Sequence, residues 1–116
     1  MDLRRARVIE QHRAPERAAI QVQAGDRVIL GDRDTEWPQF VWTALASGLG
    51  GWVPSVLFDA ERGQASALQD YDTRELDADH GQELTLHREL AGWWWVENAR
   101  GDSGWVPARK LELLDD

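Results

Sequence analysis

The chain has 116 residues, a net charge of −8, seven Trp against one Tyr and two Phe, ten Gly and no Cys. Without cysteine there is no disulfide framework, thiolate metal site or cysteine nucleophile, and an acidic chain lacks the basic footprint that a nucleic-acid partner requires. The charge is uneven, −1 over residues 1–60 and −7 over residues 61–116, which suits a solubilising surface or a basic partner.

The N-terminal run Met1-Asp2-Leu3-Arg4-Arg5-Ala6-Arg7 is basic, but no apolar stretch follows it. No secretory signal, no membrane span and a cytoplasmic location are therefore expected. Short apolar runs then recur between polar turns, a pattern of many short strands. They are clearest in the second half. Ala67–Tyr71 reads as a short strand, followed by a polar loop. Glu83-Leu84-Thr85-Leu86-His87 alternates apolar and polar, as a half-buried strand does. Trp93–Asn98 is the next strand, Arg100-Gly101-Asp102 a glycine-containing turn, and Gly104–Val106 a further strand. Pro107-Ala108-Arg109 reads as one helical turn before a last strand at Lys110–Leu113. Five short strands with polar turns in about 50 residues avoid exposed edges by curling into a barrel.

The two halves are copies of one another. Gly51-Trp52-Val53-Pro54 recurs 53 residues later as Gly104-Trp105-Val106-Pro107, and the same shift pairs Phe40 with Trp93, Trp42 with Trp95, Gly48 with Gly101 and Phe58 with Leu111. Earlier in the copies the shift is 56, matching Gly25-Asp26-Arg27-Val28 to Gly81-Gln82-Glu83-Leu84 and Ile20 to Leu76. Earlier still it is 59, pairing Val8-Ile9 with Ala67-Leu68 and His12 with Tyr71. Both length changes fall in polar stretches, between His12 and Ile20 and between Leu30 and Phe40, where insertions are tolerated. The polar segment Asp59–Ser66 reads as a linker. Two domains are expected, 1–60 and 61–116, each small enough that packing of one on the other would help its stability.

Ala67-Leu68-Gln69-Asp70-Tyr71, then Glu83-Leu84-Thr85-Leu86, then Trp93-Trp94, then Gly104-Trp105-Val106-Pro107 resemble the ordered motifs of a Src-homology-3 domain. The first copy is similar through Gly25-Asp26, Phe40-Val41-Trp42 and Gly51–Pro54, and the whole chain resembles small bacterial proteins with variant repeats of this type. The resemblance implies an all-β fold of two tandem, five-stranded small barrels and a role in binding proline-rich segments. A polyproline II helix is preformed and suits an aromatic-lined groove.

Carried over by position, the resemblance assigns the groove of the second copy to Tyr71, Trp93, Trp105 and Pro107. Gln69 and Lys110 stand where the family has two further tyrosines, and the loop after the first strand, Asp72-Thr73-Arg74-Glu75, is shorter than usual. In the first copy the same positions are Glu10, His12, Phe40, Trp52, Pro54 and Leu57, a weaker groove to which Trp37 in the longer second loop offers a ring. Asp70, Asp72, Glu75, Asp77 and Asp79 form an acidic cluster, read either as a specificity site for an Arg or Lys of the ligand or as a solvated loop. Trp42 and Trp95, at equivalent places, are candidates to pack one barrel against the other.

His12, His80 and His87 are too scattered for a metal motif, and no nucleophile elbow, phosphate loop or dinucleotide fingerprint is present. No cofactor, metal or catalytic residue is expected, and the chain reads as a non-enzyme. The leading expectation is an adaptor or docking module that binds an extended proline-containing or basic peptide, mainly through the second copy. The alternative is a structural subunit or homo-oligomer whose aromatic grooves are filled by a partner chain or by the other copy. A third, cell-wall binding, would require export.

Overall fold

In the computed structural model, residues 4–114 are described. Eleven short strands run in chain order: β1 (Arg5–Val8), β2 (Gln21–Val22), β3 (Arg27–Arg33), β4 (Phe40–Ala44), β5 (Gly50–Pro54), β6 (Gly63–Ser66), β7 (Tyr71–Asp72), β8 (Glu83–Leu90), β9 (Trp93–Glu97), β10 (Ser103–Pro107) and β11 (Leu111–Leu114). Single 3-10 turns at Ser55–Leu57 and Ala108–Lys110 follow β5 and β10. The period-2 pattern explains the longer strands. Val28 and Leu30 point inward from β3, as Leu84 and Leu86 do from β8, while Arg27, Ile29, Glu83 and His87 stay outside or half outside. The all-β class is as expected. The strands form three antiparallel sheets, none of which closes into a barrel among the described residues.

The repeat is visible in the elements. A shift of 53 carries β4 onto β9, β5 onto β10 and one 3-10 turn onto the other. The turns after β4 and β9 hold Gly48 at φ +93° and Gly101 at φ +87°, backbone conformations that glycine adopts without steric cost. Gly104 has a different reason. A Cβ there would lie 2.8 Å from the Glu75 carbonyl carbon and the Leu76 nitrogen, so the glycine lets the 74–76 segment lie directly on β10. Glu75 bridges Trp105 in parallel fashion, with the Leu76 N–H donating to the Trp105 carbonyl at 3.1 Å and the Trp105 N–H to the Arg74 carbonyl at 3.0 Å.

The chain divides into two compact units, but not at residue 60. One unit combines the described residues through Arg17 with those from Arg74 onward; the other is Ala18–Thr73. The first unit holds a five-stranded sheet in the order β10-β9-β8-β1-β11. In it β1 is flanked on both sides, with Arg7 opposite Glu83 of β8 and opposite Glu112 of β11. The second unit holds the sheet β5-β4-β3-β6 and the two-stranded β2-β7. Its β6 repeats the role of β1, with Ser66 opposite Arg27 and Ala65 opposite Val28.

Each unit therefore takes its first strand from the other copy of the repeat. Val8 pairs with Leu111, and Ala67 forms a bridge with Phe58, whereas a division at residue 60 would pair Val8 with Phe58 and Ala67 with Leu111. The exchange is regular. His12 bridges Ala78 in one unit, as Tyr71 opposes Val22 in the other. The crossings at Arg17/Ala18 and Thr73/Arg74 fall at equivalent places in the two copies. The expected linker Asp59–Ser66 is consequently a tight connection within one unit. Asp59 and Ser66 exchange bonds there, the Asp59 N–H to the Ser66 carbonyl and the Ser66 N–H to the Asp59 carboxylate, and Gly63–Ser66 is strand β6.

Sequence and packing make the exchange possible. A β1 or β6 strand needs only small or branched apolar side chains on one face, and Ala6 and Val8 serve in one unit as Ala65 and Ala67 do in the other. Ala6, Val8, Leu76, Ala78, Leu84, Leu86, Val96, Val106 and Leu111 form the core of the first unit, with Trp94 packed against it. In the second unit Ile20, Val22, Val28, Leu30, Val41, Val53, Leu57, Ala65 and Ala67 are buried.

Candidate functional site

The exchange re-sorts the candidate groove residues. His12 joins Trp93, Trp105, Pro107 and Lys110 in the unit with residues from Arg74 onward, and Tyr71 joins Trp37, Phe40, Trp52, Pro54 and Leu57 in the Ala18–Thr73 unit. The groove expected from Tyr71, Trp93, Trp105 and Pro107 within residues 61–116 is thus divided, because Tyr71 lies on β7, which pairs with β2 in the Ala18–Thr73 unit. Gln69, expected at a groove position where the resembled family has a tyrosine, is exposed and belongs to the same unit.

In the first unit the site is polar. His12 is 7% exposed and meets Trp93 edge to face, ring centroids 5.5 Å apart. Its Nε2 lies 2.8 Å from Glu75 Oε1 and its Nδ1 lies 3.2 Å from Lys110 Nζ. An ammonium only donates, so in this bonded pattern Nδ1 accepts from Lys110 and Nε2–H donates to the Glu75 carboxylate. Lys110 also donates to the Gln11 carbonyl at 3.3 Å. The Lys110 position is therefore occupied by a cation already bonded to the exchanged segment. Trp105 and Pro107 are buried.

In the second unit the site is aromatic and apolar. Trp37 meets Phe40 edge to face, centroids 6.5 Å apart. The loop that carries it is braced by its own bonds. The Trp37 N–H donates to the Asp34 carboxylate at 2.8 Å, Arg33 donates to the Pro38 carbonyl at 3.0 Å, and the Phe40 N–H donates to the Trp37 carbonyl at 2.8 Å. The three extra residues of this loop thus place an additional ring. Tyr71, Phe40, Pro54 and Leu57 are buried, and Trp37 and Trp52 are half-buried.

The acidic cluster is divided in the same way, Asp70 and Asp72 in one unit, Glu75, Asp77 and Asp79 in the other. Each acid is bonded to the chain itself. Asp70 accepts from the Ala24 N–H and Asp72 from the Gln21 amide. Glu75 accepts from His12, Asp77 from the Ala14 N–H at 2.7 Å, and Asp79 from the Arg13 guanidinium. The bond that Arg13 donates to Asp79 holds the Arg13 pKa above its ordinary value, in an exposed pair. Three of the five acids therefore fasten residues 12–14 in place. Arg13 and Ala14 were not legible as partners, since the division at residue 60 puts them in the other half.

Trp42 and Trp95, expected to pack one copy on the other, face cross-strand neighbours in their own sheets. Trp42 stands opposite Trp52, centroids 5.2 Å apart and nearly perpendicular; Trp95 stands opposite Trp105 at 5.3 Å in the same geometry. Directly opposed residues on one face are neighbours in any antiparallel pair, and edge-to-face indoles are a favourable one. Arginines cover the second of these pairs, Arg74 over Trp95 at 5.7 Å and Arg88 over Trp105 at 5.9 Å, and Arg4 lies over Trp94 at 6.0 Å.

A cavity of about 470 Å³ lies between the 74–77 segment and the turn 98–103, bordered by charged side chains including Arg74, Asp77, Arg100 and Asp102. Among the described residues no group of three or more His, Cys, Asp or Glu converges as a metal site would need, and no helix is long and apolar enough to cross a membrane. No protein-family model, curated protein or solved structure matches the chain.

Proposed function

We propose that the chain is a non-enzymatic protein-interaction module built of two variant Src-homology-3-like units, and that the Ala18–Thr73 unit carries the groove for an extended, proline-containing peptide. The observation that supports this reading is the edge-to-face contact of Trp37 with Phe40 in the unit that also contains Tyr71, Trp52, Pro54 and Leu57. Aromatic rings next to a buried proline offer contact area at low entropic cost, the surface on which a preformed polyproline II segment docks. The other unit is the poorer candidate, since Lys110 replaces a ring there and His12 is bonded to both Glu75 and Lys110.

The test is a calorimetric titration of the whole chain with a proline-rich peptide and with the same peptide carrying alanine for proline. Trp37→Ala is expected to weaken binding of the proline peptide roughly 30-fold, the loss of one aromatic anchor of about 2 kcal/mol. Trp93→Ala is expected to leave it unchanged. Absence of binding, or sensitivity to Trp93→Ala in place of Trp37→Ala, overturns the assignment.

A second reading, a structural subunit whose grooves are filled within the assembly, draws support from burial. Tyr71 and Phe40 are 8% and 7% exposed, and the acids that would attract a basic ligand are bonded internally. That reading expects no titration response to either peptide.

A further inference from the structure

We propose that residues 5–14 are a donor segment that a second copy of this chain can supply, giving a reciprocal strand-exchanged dimer in which the partner copy's donor segment provides the histidine that completes the Glu75, Trp93 and Lys110 cluster. The inference does not depend on peptide binding.

The two units differ in how their first strand is tethered. In the Ala18–Thr73 unit, β6 follows Phe58 through a short connection locked by the Asp59–Ser66 bonds, so β6 has no freedom to leave. In the other unit, β1 and the sheet that receives it are separated in the chain by all of Ala18–Thr73. The donor ends at Ala14, whose N–H is held by Asp77, and the next strand begins at Gln21. Between them Pro15–Ala19 is exposed and has neither strand nor helix structure.

What holds the donor is a set of contacts that a second copy supplies identically. Val8 and Ala6 fill the core, Arg5, Arg7 and Val8 pair in register with β11, His12 bridges Ala78, and Arg13 pairs with Asp79. Without a donor the sheet is interrupted between β8 and β11, and Glu75 and Lys110 lose the imidazole that joins them. Exchange of an identical element costs no contacts, only the concentration of a second chain. A tether acts as an effective concentration that a sufficiently concentrated refolding mixture can rival. The chain already performs this exchange between its own two copies, with equivalent crossing points.

Because the chain has no cysteine, engineered thiols report the exchange directly. Arg7 of β1 and Glu112 of β11 are directly opposed, their side chains 3.9 Å apart. Chains carrying only Arg7→Cys and chains carrying only Glu112→Cys are mixed equally, unfolded in denaturant with reductant, refolded together at high concentration and oxidised. A mixed disulfide between the two variants is expected in about half of the dimers, the statistical share of mixed pairs in a two-fold exchange. The parent chain refolded in the same way is expected to show a fraction at twice 13.2 kDa by light scattering. The double variant, oxidised before unfolding, is expected to close its disulfide within one chain and to stay monomeric. Mixed disulfides no more abundant than the like-with-like background, together with a purely monomeric parent chain, overturn the proposal. Failure of the double variant to close its disulfide overturns the β1–β11 register on which it stands.

Discussion

Truncation of Val8 to alanine distinguishes an exchanged chain from a simple tandem. Val8 is fully buried in the unit that contains β8–β11 and lies opposite Leu111. Val8→Ala removes two methyl groups, worth about 0.8 kcal/mol each in transfer free energy, and leaves a small cavity that the close-packed sheet only partly fills. Together these amount to roughly 2–3 kcal/mol, or about a 30- to 150-fold higher population of the opened unit. Native-state hydrogen exchange reads this locally, because separate units open with separate free energies. Amides of the β9–β10 pair, around Val96 and Val106, are expected to lose protection by that factor, and those of the β4–β5 pair, around Val41 and Val53, to keep theirs. Tyr71→Ala is the mirror case, with the loss centred on β4–β5. If Val8→Ala instead loosens Val41 and Val53 and spares Val96 and Val106, the exchange is refuted.

Further outcomes follow from other contacts. Gly104→Ala sets a methyl 2.8 Å from backbone atoms of Glu75 and Leu76, whereas the equivalent Gly51→Ala meets the movable side chains of Ile20 and Thr73 at 3.1–3.3 Å. The first is expected to cost roughly 1–3 kcal/mol more than the second in denaturant midpoints analysed with a common slope, and equal midpoints would contradict the close approach. His12→Phe keeps a ring against Trp93 but leaves the four-fifths-buried Glu75 carboxylate without its donor. A loss of roughly 1–3 kcal/mol is expected in urea unfolding, and an unchanged midpoint would count against the cluster. Arg13 and Asp79 are exposed, so the small loss on Arg13→Ala is expected to shrink in 1 M salt, where the Debye length is about 3 Å. The raised Arg13 pKa favours folding below the ordinary guanidinium value and loses that effect only as pH rises through the raised one. The variant's deficit is therefore expected to stay level from pH 6 to pH 9.

Much of this architecture was legible in the residues. The repeat shifts of 53, 56 and 59 aligned positions that the structure makes equivalent, such as Trp42 with Trp95 and Val8 with Ala67. The glycine turn at Arg100–Asp102 and the helical turn after Pro107 came from local chemistry. The added ring of Trp37 was also legible, because a three-residue insertion between otherwise matched strands has to place its one tryptophan near the groove aromatic. The fate of the acids was not. Asp77 and Asp79 read as a ligand-facing cluster or a solvated loop because their partners, Ala14 and Arg13, lie more than 60 residues away in the chain.

What the sequence by itself determined is the longer strands, their alternating faces and their duplication, written in spacing and turn residues that act over a few positions. The number of strands was not among them, since the expected strand Ala67–Tyr71 runs through a bend between β6 at Gly63–Ser66 and β7 at Tyr71–Asp72. Which first strand completes which sheet was decided only by the tertiary structure. The physical reason is the repeat itself. Ala6-Arg7-Val8 and Ala65-Ser66-Ala67 present interchangeable faces to interchangeable sheets, so no local preference separates the direct pairing from the exchanged one. The choice is made where the chain crosses, at Arg17/Ala18 and Thr73/Arg74, and by bonds such as His12 to Glu75 that exist only after the crossing.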